Sequence, residues 1–241
     1  MRVNALTFSA AVVVSVLGSG CSTTKQARSV EAPEKGRSAI LADYKSLLEK
    51  GKDDEALLIY IKKDVDWNSY TKAQILPVIF NKPEGWRGGD LEELQKLANY
   101  CHGKLQEEIG KDVQIVADPG PNTGVVQVAV FNPERELVAA NLITGVMPIG
   151  IVVSGAAAEI EGKNMTTGEL SAELKVVDGV SNELLAAAVD RRVGRKYQAM
   201  MFKTWGEAYA ACDFWAKQTR YRLCVLRAGG TPTEECLKIK P

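Results

Sequence analysis

The sequence has a single histidine, His102, whose helical i+4 neighbour is Gln106. No imidazole pair is therefore available for a zinc-type site, and His102 itself reads as a solvated side chain. The G-x-S-x-G elbow, the Walker A loop and the G-x-G-x-x-G turn are all missing. Each of these places a nucleophile or a set of backbone amides where its chemistry needs them. A charge excess is missing too, with 30 Lys+Arg balanced by 30 Asp+Glu. A chain with no basic surplus has little to neutralise phosphates, so nucleic acid is not an expected partner. Neither a metal nor a cofactor is expected.

What remains is a chain of 241 residues, 46% hydrophobic and 25% charged. That is enough for one domain that closes its own core, with no metal or disulfide needed to do so. Its start has a different character. Arg2 is followed by the apolar stretch Leu6 to Leu17, then Gly18-Ser19-Gly20-Cys21 and a polar run. A positive start, a short apolar core and small residues make a secretory signal, too short to span a bilayer as a mature helix. Cys21 placed after the small residues resembles a lipobox, in which the Cys is acylated and becomes the new amino terminus. Leu17 stands one place earlier than that pattern usually has it. Several acyl chains on one Cys would hold the chain to a lipid bilayer, at about 0.8 kcal/mol per buried CH₂. Residues 1–20 therefore read as signal peptide, and 21–37 as lipidated Cys and flexible tether.

The domain itself is expected over 38–228, with a C-terminal tail over 229–241. Apolar spacing predicts a helix from Ser38 to Lys50, stopped by Gly51. Lys72 to Phe80 reads as a strand that bends or loses an edge at Pro77. Leu94, Leu97, Cys101, Leu105 and Ile109 fall on one face of a helix opened by Asp90. Strands follow at Val113–Ala117 and Val125–Phe131. Glu169 to Val176 alternates, with Leu170, Ala172, Leu174 and Val176 inward and Glu169, Ser171, Glu173 and Lys175 outward. A turn at Asp178-Gly179 leads into Leu184–Asp190, and a last helix runs from Thr204 to Leu226. This order predicts an α+β fold: two layers, with a mainly antiparallel sheet and helices packed on one face.

With Cys21 lipidated, Cys101, Cys212, Cys224 and Cys236 remain for an oxidising compartment. Cys224 and Cys236 flank Gly229-Gly230, which lets the chain double back, and this is the favoured bridge. Cys101 and Cys212 lie on apolar helix faces and read first as small core residues, with a bridge between them the alternative. The uncharged segment Leu137 to Ala158 is interrupted by Gly145, Pro148, Gly150 and Gly155. Two readings fit it: strands or a loop buried on the core, or an apolar contact segment through Leu142, Ile143, Val146, Met147, Ile149, Ile151 and Val152. Arg191, Arg192, Arg195 and Lys196 are either a charged strand end or an edge for an anion or a partner.

A family resemblance rests on several fragments in order. They are the DYKSLL start, Asp66-Trp67 with Tyr70, QILPV, DPGPNTGVVQVAV, ELKVVD, ELLAAAVDRRVG and Thr204-Trp205-Gly206. Over about Leu41 to Leu226 the chain resembles a family of bacterial envelope lipoproteins catalogued as a domain of unknown function (family 3313). The resemblance implies a lipoprotein and supplies no activity. More loosely, the element order is similar to small periplasmic α+β adaptor domains. The expectation is a membrane-anchored envelope lipoprotein, placed at the outer membrane and facing the periplasm in a Gram-negative host. It would work as a non-enzymatic binding or assembly module with an envelope protein partner. The alternative is a carboxylate-dependent hydrolase acting on cell-wall or lipid material, which needs two carboxyls across a cleft.

Overall fold

The computed structural model describes residues 24–34, 38–52, 54–81, 89–131, 142–144, 169–194 and 206–241. Cys21 and the signal segment lie outside them. In chain order the strands are β1 (Thr24–Gln26), β2 (Glu49–Lys50), β3 (Leu58–Ile61), β4 (Lys72–Ile75), β5 (Ile79–Asn81), β6 (Gln114–Ile115), β7 (Thr123–Phe131), β8 (Leu142–Thr144), β9 (Glu169–Asp178) and β10 (Leu184–Gly194). The helices are α1 (Gly89–Ile109), α2 (Gly206–Arg227) and α3 (Glu234–Lys238), with a 3₁₀ turn at Ala42–Leu47.

All these strands form one sheet with the order β2-β3-β10-β9-β7-β4-β6. β1 pairs with the far end of β10, while β5 lies against β7 and carries β8. The α+β class holds, but the sheet is mixed rather than mainly antiparallel. The pairs β4–β6, β4–β7 and β5–β7 are parallel. The cause is α1, the long crossover that returns the chain to β6, and from there to β7 on the other side of β4, in the same direction as β4. Pro77 acts as expected. It sits where the Lys72–Phe80 run breaks, so that β4 and β5 address two different stretches of the same β7.

Register then fixes two faces. Val126, Val128 and Val130 of β7 sit beside Val176, Leu174 and Ala172 of β9. Ala186 and Ala188 of β10 continue that face. It shares a core with Leu94, Leu97, Cys101 and Leu105 of α1 and with Ala208, Cys212 and Ala216 of α2. The other face was expected to be polar and wet, and it is not. Leu41, Leu184, Ala187 and Val189 form a second core there, joined by Val30, Tyr44 and Tyr60. Residues 38–50 do not make the expected helix. They run as a strap across this face, then a 3₁₀ turn, then β2.

The strap is fastened by a buried carboxyl. Glu173, expected to point outward, is 1% exposed. Its Oε2 accepts from Ser38 Oγ at 3.0 Å, Ala39 N at 3.1 Å and Ile40 N at 3.0 Å. Burial pushes the carboxyl pKa up, opposed by these donors, with the net direction upward.

A folded pKa above the unfolded one means the native state holds more protons. The stability from this group is then complete below the unfolded value and is lost as pH rises through the folded value. Glu173→Ala leaves the strap donors without an acceptor and should lower stability in urea by roughly 2–3 kcal/mol. Glu173→Gln keeps a carbonyl acceptor, should cost much less, and should flatten the fall in stability above acidic pH. Equal losses for the two variants would show that the strap is not held by this acceptor.

Candidate functional site

Between the helix-facing side of the sheet and the helices lies a cavity of about 410 Å³. The sequence of β10 helps to make it. Ala186 and Ala188 present only methyl groups to the space beneath α2, beside Leu174 and Val176 of β9. Leu105 and Ile109 of α1 and Trp215, Leu223 and Leu226 of α2 line the helix side. Leu174, Val176, Ala188, Trp215 and Leu223 remain only half-buried, because no side chain closes over them fully. The alanines were legible, but the space they leave depends on how far the helices stand off, which no local pattern encodes.

One end of the cavity is polar. Asp190 and Arg192 continue the alternation of β10 past the alanines, so they point to the helix side instead of to solvent. Asp190, 6% exposed, accepts from Gln26 Nε2 at 2.7 Å and from Trp215 Nε1 at 2.9 Å. Arg192, 5% exposed, donates from Nε to Thr24 Oγ1 at 2.9 Å and from Nη2 to the Thr24 carbonyl at 2.8 Å. Its guanidinium lies over the Phe214 ring at 3.4 Å from the centroid. Beside them, Glu55 accepts from Arg222 at 2.6 Å. Asp54 accepts from the Tyr221 hydroxyl at 2.7 Å, and that bond holds its carboxyl below the usual range. Each of these acids is thus committed to a donor within the fold. A general acid on this rim would need a raised pKa, and Asp54 is moved the other way.

These contacts change the reading of several residues. Thr24–Gln26 was expected to be solvated tether, yet β1 pairs with β10 through Thr24↔Gly194, Lys25↔Val193 and Gln26↔Arg192. Arg192, expected at an anion or partner edge, is turned inward and spent on Thr24. Arg191 is half-buried on the opposite face, while Arg195 and Lys196 lie outside the described residues. Of the apolar segment, Leu142 and Ile143 belong to β8, paired with Asn81 and Phe80. Val146, Met147, Ile149, Ile151 and Val152 lie outside the described residues. His102 is half-buried rather than solvated. Its Nδ1 is 3.2 Å from the Leu76 carbonyl oxygen, and burial pushes its pKa down. Among the described residues, no group of three or more His, Cys, Asp or Glu is placed to hold a metal ion.

Both disulfides are formed. Cys224–Cys236 ties α3 back onto α2 as expected, across Gly229 and Gly230 at φ +77° and +90°, where a side chain would be strained. Cys101–Cys212, the pairing the sequence ranked second, is also present and joins α1 to α2 at the cavity wall. Apolar helix faces were read as a reason for free core thiols. The same faces bring the two sulfurs together once the helices pack side by side.

A family model described as "Protein of unknown function (DUF3313)" matches residues 36–219. The chain belongs to that family. No curated protein matches the sequence. Among solved structures, a PelC variant dodecamer from Paraburkholderia phytofirmans is similar at 9% identity, over 64% of this chain and 94% of that one. The TM-score is 0.27, and at that level the likeness says nothing further about this chain.

The two bridges close loops of very different length, with sequence separations of 111 and 12. In chain-entropy terms a loop of about 100 residues is worth about 4.7 kcal/mol and one of about 15 residues about 3 kcal/mol. The paired variant Cys101→Ala/Cys212→Ala should therefore lose more stability in urea than Cys224→Ala/Cys236→Ala. The reverse order would place the stabilisation in local packing instead of in loop closure.

Proposed function

We propose that this chain is an envelope lipoprotein, acylated at Cys21 and facing the periplasm, whose domain is a non-enzymatic binding or assembly module. The observation that carries the non-enzymatic part is the state of the cavity rim. Asp54, Glu55 and Asp190 each accept from a donor inside the fold, and most of the remaining lining is apolar. A hydrolase of cell-wall or lipid material would need one carboxyl kept protonated and another free to attack or activate water.

Export is supported by residues 1–21 and, independently, by chemistry. Two disulfides are stable where the surroundings are oxidising and rare in a reduced cytosol. No described helix is long and apolar enough to cross a membrane, so attachment in this reading is by lipid at Cys21. The outer membrane of a Gram-negative host is the proposed address. The segment Leu142 to Val152 and the cations Arg191, Arg195 and Lys196 are the proposed contacts for an envelope protein partner.

Cells fed an alkyne-tagged palmitate should incorporate label into the wild-type chain, and Cys21→Ala should lose it. Fractionation should place the labelled protein with membranes. Purified protein should leave peptidoglycan and lipid esters intact. A cytosolic, unlabelled and uncleaved chain would refute the anchoring, and turnover abolished by Asp190→Asn would refute the binding role.

A further inference from the structure

We propose that the cavity between sheet and helices is a binding site for the hydrocarbon chain of an amphiphile, an acyl chain, with the polar head left at the rim formed by Gln26 and Arg222. This deepens the binding-module reading and rests on it, but does not require that Cys21 be acylated.

The lining sets the ligand class. Leu174, Val176, Trp215 and Leu223 keep apolar surface open inside a two-layer core. Water there would find few partners, and an apolar cavity of this kind takes apolar matter. The buried polar groups at its end, Asp190 and Arg192, already hold Gln26, Trp215 and Thr24. A sugar or nucleotide would give up its bonds to water and meet occupied donors and acceptors, which is costly. A hydrocarbon chain gives up no such bonds. The volume of about 410 Å³ falls within the roughly 300–1,000 Å³ of ligand sites. At the rim Arg222 is paired with Glu55 and Lys240 lies 3.7 Å from Asp54, so neither of these cations calls for an anionic head.

Position gives a second and independent argument. Gln26 lines the cavity, and β1 is fastened to β10 by the Arg192–Thr24 bonds. Cys21 precedes Thr24 by three residues, a reach of roughly 10 Å at full extension. Acyl groups on Cys21 would begin near this mouth, and so would the lipids of any bilayer they enter. The chemistry is shared, and the source is either the chain's own anchor or a separate lipid.

The test uses the full chain in cells fed a diazirine-bearing palmitate, which enters phospholipids and lipoprotein acyl groups alike. After irradiation, crosslinks should map to peptides of β9, β10 and α2. Ala188→Phe and Val176→Phe, which fill the cavity, should cut those crosslinks about tenfold in protein that keeps both disulfides. In Cys21→Ala, persistence of the crosslinks assigns the occupant to free lipid, and their loss assigns it to the anchor. Crosslinks absent from β9, β10 and α2, or unchanged in both filled variants that keep their disulfides, would overturn the proposal. Covalent label read in denatured protein before irradiation reports on Cys21 alone, so the two readings fail separately.

Discussion

Three ionisable side chains buried on the central strands govern the arrangement of everything around them. Glu173 on one face and Asp190 and Arg192 on the other are each at most 6% exposed. An isolated charge in such a place would be very costly, so each must be met by fixed donors or acceptors. The fold supplies these from segments far away in sequence. Ser38 to Ile40 meet Glu173, Thr24 meets Arg192, and Gln26 with Trp215 meets Asp190. The polar N-terminal stretch is thereby recruited twice, once on each face of the sheet. It contributes hydrogen bonds on both faces and, through Leu41, Val30 and Tyr44, apolar area on one.

That recruitment explains which parts of the fold could be read in advance. α1 and α2 announce themselves through apolar stripes, and β7, β9 and β10 through apolar runs or alternation; each is encoded within one or two turns or strands of chain. β1 has no such signature, because Thr24, Lys25 and Gln26 are ordinary solvent residues until Arg192 needs them. The outward reading of Ser171 and Glu173 assumed that one face of the sheet meets water. A strap over 38–41 cancels that assumption. β3 went unread for a similar reason, since Leu58–Ile61 is four half-buried residues whose partner on one side is the exposed β2. The cavity was beyond the sequence altogether, being a difference between two distances.

The Cys101–Cys212 bridge and the alanines of β10 act together on that difference. The bridge fixes α1 beside α2 at the cavity wall. Trp215 is pinned to Asp190 at the rim, and Thr219 caps its hydroxyl on the Trp215 carbonyl. α2 is therefore held at two points, by a covalent bond to α1 and by a charge-assisted bond to β10. Beyond those points, toward Leu223 and Leu226, Ala186 and Ala188 offer little side chain to draw the helix inward. A core of Leu or Ile at the same positions would fill the space and give a better-packed, more stable layer. Leaving it open sacrifices packing. A fold held by two disulfides can tolerate that loss better than one that relies on its core alone.

The same geometry changes how the domain would stand relative to a membrane. A solvated tether over 21–37 would let the domain wander, since a flexible chain of that length reaches roughly 20–25 Å in root-mean-square terms. With β1 in the sheet, only two residues, Ser22 and Thr23, separate Cys21 from the first strand. In the proposed anchoring, the β1 end of β10 and the polar rim of the cavity are then held against the headgroup region. Partner surfaces near that end would meet lipid first, and those on the strap face would be turned to the side. Orientation would thus be set by the Arg192–Thr24 hydrogen bonds in the fold and not by the length of a linker.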